Sequence, residues 1–179
     1  MARVRVFHWR EAEAQPLLDR LRAAGHTVEY EEKVRPGTFA ELKRNPPQAI
    51  VIDLSRLPSQ GTEAGVTVRG GRTTRCVPLL FVGGEPEKVE RVRAKLPDAG
   101  YCDAGNVVEA LQHALGQAPR DPVVPTQMMD RYAGRTACQK LGIVPGCTVL
   151  LVDPPGDCDR VLAPLPDNVE LTEDERTPA

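Results

Sequence analysis

Aromatic residues are scarce in this chain: one Trp, three Tyr and three Phe among 179 residues. That excludes an aromatic stacking platform for single-stranded nucleic acid. A dominant charge is missing too. Lys and Arg number 23 against 25 Asp and Glu, a formal net charge of −2. The balance excludes a generic basic nucleic-acid binder and an acidic tail protein. The three His, at positions 8, 26 and 113, are too widely spaced to suggest a His-based metal site. Cys76, Cys102, Cys138, Cys147 and Cys158 form no C-x-x-C pair. Neither a disulfide framework nor a zinc site is indicated, and free thiols in a reducing cytoplasm are expected. No run approaches the ~18 apolar residues of a membrane helix. The opening Met1–Phe7 stretch has no long apolar segment followed by a cleavage site. The expectation is a cytoplasmic chain without membrane contact. Gly and Pro together make about 18% of the chain, below the ~25–30% that marks low complexity. What is present is 41% hydrophobic, enough for a packed core, and the length fits one ordinary domain or one domain plus a small appendage.

The first ~118 residues alternate between strand and helix signals. Arg3 to His8 places Val4 and Val6 at period two. Ala14, Leu17, Leu18, Leu21 and Ala24 follow at helical spacing, with a start expected near Pro16 and a stop at Gly25. Thr27 to Tyr30 reads as a strand and Gly37 to Arg44 as a short helix. The run Ala49-Ile50-Val51-Ile52, ending at Asp53, has no alternation and marks a strand buried on both faces. A weak helix is expected over Glu63 to Arg69, a strand over Val77 to Val82, and a helix opened by Pro86. Tyr101-Cys102 is a short fifth strand, and Val108, Leu111 and Leu115 make the last helix. Five strands alternating with five helices predict an α/β fold, a flavodoxin-like doubly wound parallel sheet of order 2-1-3-4-5. Its functional crevice should lie at the carboxyl ends of strands one and three.

Ala49 to Gly61, AIVIDLSRLPSQG, resembles the third strand and following loop of bacterial response-regulator receiver (CheY-like) domains. Asp53 and Gly61 keep that family's eight-residue interval; Pro58 stands five residues after the Asp instead of four. Thr74 to Gly84, TRCVPLLFVGG, resembles the segment leading into the family's fourth strand. The resemblance covers residues 1–116. It implies phosphoryl transfer to Asp53, which would need Mg²⁺ held by two further acidic groups, a hydroxyl after strand four and a Lys after strand five. Aligned this way, His8 and Trp9 stand in place of the acidic pair, Gly83 in place of the hydroxyl, and Ala104 in place of the Lys. Glu11 and Glu13 are weak candidate metal ligands at shifted positions. The resemblance therefore implies a pseudo-receiver. Asp53 can instead cap the turn after its strand by accepting backbone N–H groups, and His8 can sit beside it. No Ser or Cys nucleophile can be placed next to that pair, so a hydrolase triad has no support.

Val68 to Arg75, VRGGRTTR, reads as a solvated loop, with phosphate contact as the sharper alternative. Val149 to Gly156 carries one Gly and two Pro where a dinucleotide fingerprint needs three Gly. Residues 117–127 form a Pro-rich linker. Residues 128–171 are expected to form a truncated βαβ-like module: a helix within Met128 to Leu141, a strand over Thr148 to Val152, a helical turn over Asp157 to Leu162, and a strand over Val169 to Leu171. Residues 172–179 read as a polar tail. Tyr132 to Thr136, Lys140 to Ile143 and Leu162 to Pro166 resemble the start of a small bacterial family of unknown function (YSGTPL…KLGI…G), with Arg135-Thr136 departing from its pattern.

The functional expectation is a non-catalytic signalling module without a cofactor. It would act by contact with a protein partner or a second copy of itself, and not with specific nucleic acid. Two alternatives stay open. One is a phospho-accepting regulator using Asp53 and Mg²⁺. The other is a ligand-binding protein using the crevice lined by His8, Trp9 and Asp53.

Overall fold

The computed structural model describes residues 1–126 and 134–173, which divide into two compact units, Met1–Gln127 and Met128–Ala179. The first unit runs β1 (Arg3–Phe7), α1 (Glu11–Ala23), β2 (Thr27–Glu31), α2 (Pro36–Arg44), β3 (Ala49–Asp53), α3 (Pro58–Gly70), β4 (Leu79–Val82), α4 (Pro86–Lys95), β5 (Gly100–Cys102) and α5 (Val107–Gly116). The strands pair in parallel in the order β2-β1-β3-β4-β5, the expected flavodoxin-like arrangement. Every residue of β3 is buried, as its unbroken apolar run requires of a central parallel strand.

The strand period of two sorts the core into two layers. Val4, Val6, Val51, Leu80 and Val82 face one way, against Ala14, Leu17, Leu18 and Leu21 of α1 and Leu111 of α5. Phe7, Ile50, Ile52, Leu79 and Phe81 face the other way, against Leu42 of α2, Val68 of α3, Val92 of α4 and Leu96 just after it. That second layer leaves no room beside α3 at Gly65. A Cβ there would stand 2.7 Å from Phe81 Cζ and 2.9 Å from Leu96 Cδ1. Gly65→Ala should therefore cost about 1–3 kcal/mol by overpacking, although Ala is the better helix former. Urea unfolding measures it, and a stabilised variant would show that the layer can give way.

Two local expectations are corrected. Helix α1 begins at Glu11, so Pro16 lies inside it and supplies no N–H to the carbonyl one turn back. The four buried side chains of α1 hold it on the sheet on both sides of that gap. The segment Val68 to Arg75 is not a solvated loop throughout. Helix α3 extends through Gly70, and Arg69 is completely buried. Its Nη1 donates to the carbonyls of Arg75 (2.5 Å) and Val77 (2.8 Å). A charged strand residue is buried too. Arg5 of β1 lies 3.0 Å from Glu29, 3.1 Å from Glu31 and 2.9 Å from Glu41, which replaces apolar packing beneath α2 with an ion network.

After α5, the Val123 N–H donates to Asp98, and Cys76 Sγ lies 3.6 Å from the Arg120 carbonyl. The second unit contains α6 (Ala137–Leu141), β6 (Thr148–Leu151), α7 (Cys158–Leu162) and β7 (Glu170–Glu173), with β6 and β7 parallel. Thr136 and Gln139 cap α6 reciprocally. The earlier part of the helix expected from Met128, and Tyr132 and Ala133 of the second resemblance, lie outside the described residues. Strand β7 reaches Glu173, so the expected tail does not begin at residue 172. Among the described residues of this unit the buried apolar side chains are Cys138 and Leu162, and Cys138 donates to the Leu162 carbonyl at 2.9 Å. Leu150 and Val152 stay more than half exposed, as expected of a piece too small to bury its own core.

Candidate functional site

Adjacent β1 and β3 run in register, Phe7 against Ile52. The next residues, His8 and Asp53, therefore meet at the carboxyl edge of the sheet. Asp53 is 4% exposed and His8 is 6% exposed. Asp53 Oδ2 accepts from the backbone N–H groups of Ser55 (3.1 Å) and Arg56 (3.3 Å). This is the turn-capping role that a strand-terminal Asp can take. Its Oδ1 lies 3.8 Å from His8 Nε2, beyond hydrogen-bond reach. His8 Nδ1 accepts from the Arg10 N–H at 3.3 Å, which places the ring proton of neutral His8 on Nε2, facing Asp53. The His8 carbonyl accepts from the Tyr30 hydroxyl at 3.0 Å. Burial first, then Glu32 and Glu11, push the Tyr30 phenol up to about 12, so it remains a donor at neutral pH.

Trp9 closes one side of the crevice, with Nε1 donating to the Asp53 carbonyl at 3.3 Å. Gly83 is close on the β4 side. Its φ of +67° is a left-handed conformation, and a Cβ there would lie 2.4 Å from Ser55 Oγ and 3.9 Å from Asp53 Oδ1. The Ser55 hydroxyl thus fills the space that a side chain at position 83 would need. Ala104 is exposed in a short turn, and its carbonyl accepts from Arg20 at 2.6 Å. No hydrogen bond among the described residues joins it to Asp53.

Glu11 and Glu13 are exposed. Glu13 is held by Arg56, whose Nε and Nη2 donate at 2.8 and 2.5 Å, and by Arg10 at 3.1 Å. The Arg56 hydrogen bonds chiefly hold the Glu13 carboxyl down at about 2. Glu13 therefore stays ionised as pH falls through the ordinary carboxylate range, and the pair is lost only near pH 2. The pair is solvent-exposed and contributes little to stability. A ¹³C-detected titration of Glu13 should have its midpoint near 2, and Arg56→Ala should return it towards the ordinary 4.5. A Glu13 midpoint already near 4.5 in the parent would show that the pair does not form in solution.

The receiver resemblance implies Mg²⁺, and these residues do not fit it. Asp53 spends Oδ2 on two backbone donors, His8 and Trp9 stand where acidic ligands are needed, and Glu13 is committed to two guanidinium groups. Among the described residues no cluster of three His, Cys, Asp or Glu could hold a metal. Sequence reasoning missed Ser55, Arg56 and Arg10. The first two follow Asp53 directly, but the pairing of Arg56 with Glu13, far away in sequence, left no local pattern.

No family model and no curated protein matches the chain. Solved structures do match its fold. The signal receiver domain of a modulated diguanylate cyclase from Desulfovibrio desulfuricans G20 is 15% identical, with a TM-score of 0.53 over 66% of this chain and 96% of that one. A sensor protein from Polaromonas sp. JS666 is 19% identical, with a TM-score of 0.55 over 65% and 98% of the two chains. NtrX from Brucella abortus, solved in complex with ATP, is 13% identical, with a TM-score of 0.54 over 90% of this chain but 39% of its own. At these identities the likeness is one of fold: the five-stranded unit has the response-regulator receiver fold.

Proposed function

We propose that the chain is a non-catalytic, receiver-like signalling module that works by protein contact in the cytoplasm. The observation that carries this reading is the state of Asp53, a buried carboxylate committed to the turn after β3 and flanked by His8 and Trp9. A phosphoryl group on its Oδ1 would enter a buried site without a cation or a Lys to offset its charge. No helix among the described residues is long and apolar enough to cross a membrane.

The contact surface we assign is the groove of about 750 Å³ beside the edge strand β5, lined among others by Arg93 of α4, Tyr101 of β5, and Glu109, Ala110 and His113 of α5. Tyr101 is a rigid anchor. Its ring stacks on Phe81 at 5.3 Å, the Arg93 guanidinium lies 4.4 Å from its centroid, and its hydroxyl donates to the Leu96 carbonyl at 2.9 Å. Burial first, then Asp103, push the Cys102 thiol up to about 11, so it is held as the less reactive protonated thiol at neutral pH.

Incubation of the full chain with acetyl phosphate and Mg²⁺, read by intact mass, tests the non-catalytic claim. No phosphoryl adduct is expected. An adduct lost in Asp53→Asn would establish the phospho-accepting alternative. Light scattering over a concentration series tests the surface: a mass that rises with concentration and falls back in Ala110→Arg identifies a second copy as the partner.

A further inference from the structure

A second groove, of about 420 Å³, lies between α2 and α3 and is independent of the α4–β5–α5 surface. Its apolar lining is Trp9, Val34, Phe39 and Ala64, and Glu63 is its one charged lining residue. Trp9, Val34 and Phe39 are only partly buried where they pack on the second core layer. Two of the chain's few aromatic side chains thus share one concavity. Trp9 is also fixed, because its N–H is spent on the Asp53 carbonyl. Glu63 is half-buried. Its backbone carbonyl accepts from Thr67 at 2.8 Å, while its carboxylate has no ion-pair or hydrogen-bond partner among the described residues.

We propose that this groove binds a small organic cation, with an aromatic or alkyl body against Trp9 and Phe39 and an ammonium against Glu63. The volume lies in the ~300–1,000 Å³ range of small-molecule sites. A half-buried carboxylate without a partner favours a cation, and aromatic rings beside it add cation–π attraction. A neutral ligand of the same shape leaves Glu63 unpaired, and an anion is repelled, so the site discriminates by charge. The anchored indole lowers the ordering cost of binding.

The chain's single Trp is the reporter. Benzyltrimethylammonium titrated into the full chain should give a saturable change in Trp9 fluorescence. Benzyl alcohol should bind at least tenfold more weakly. Glu63→Gln should weaken the cation about tenfold and erase its advantage over the alcohol. Thr67→Lys places an ammonium one helical turn after Glu63, in the favourable orientation for a Glu–Lys pair, and should abolish binding. That variant adds a stabilising contact, so loss of binding with an unchanged melting curve is not unfolding. The absence of a saturable change in the parent would overturn the proposal. So would equal binding of the alcohol, or binding unaffected by Glu63→Gln.

Discussion

Arg69→Ala should lower the unfolding free energy by about 3 kcal/mol, the largest loss expected from a single side chain away from the crevice. Arg69 has no exposed surface. Its Nη1 holds the Arg75 and Val77 carbonyls at the turn into β4, and truncation orphans both and opens a cavity beneath α3. One effect opposes this loss. Nε and Nη2 are buried without a hydrogen-bond partner among the described residues. Burial pushes the Arg69 pKa down, with Asp98, Cys76 and Tyr101 opposing the shift, and the guanidinium stays charged at any working pH. Removing a buried charge returns part of its desolvation cost. Arg69→Met keeps much of the volume and removes the charge, so it should cost clearly less than Ala. Guanidinium chloride unfolding of both variants measures the order. A loss under about 1 kcal/mol for Ala would show that the two carbonyls find water instead.

Gly83→Thr should fail to restore receiver chemistry and should cost about 2–4 kcal/mol. Position 83 is where the resemblance calls for a hydroxyl, so this is the natural first repair. The backbone forbids it in two ways. A φ of +67° is strained for any β-branched residue, and a Cβ there collides with Ser55 Oγ. Relieving the collision with Ser55→Gly should recover part of the loss but not the backbone strain, so the two substitutions should be non-additive. Urea unfolding of the single and double variants gives the coupling. A Gly83→Thr protein as stable as the parent would mean that the loop after β4 relaxes, and that position 83 can carry a hydroxyl.

The fold was legible because local patterns of apolar residues decide it. The apolar run 49–52 could only be a doubly buried strand, and the strand–helix alternation with obligatory handedness left few sheet orders. The meeting of His8 and Asp53 follows from that order, since both end neighbouring strands. Local rules failed where tertiary packing outweighed them. Pro16 signalled a helix start, but Ala14, Leu17, Leu18 and Leu21 are buried on the sheet and carry the helix across it. The Gly pair after Arg69 signalled a loop, but the carbonyls at the start of β4 draw that Arg inside. The Glu13–Arg56 pair and the Ser55 hydroxyl beside Gly83 were invisible, because each depends on loop geometry that residue types do not fix.

The most direct test of the non-catalytic reading is the ¹H–¹⁵N spectrum of the full chain with Mg²⁺, before and after beryllofluoride. No change is expected at Asp53, Ser55, Arg56 or Gly83, because the crevice offers no cation site and its carboxylate is buried. Shifts clustered on those residues, and absent in Asp53→Asn, would contradict it and make the chain a divergent phospho-switch.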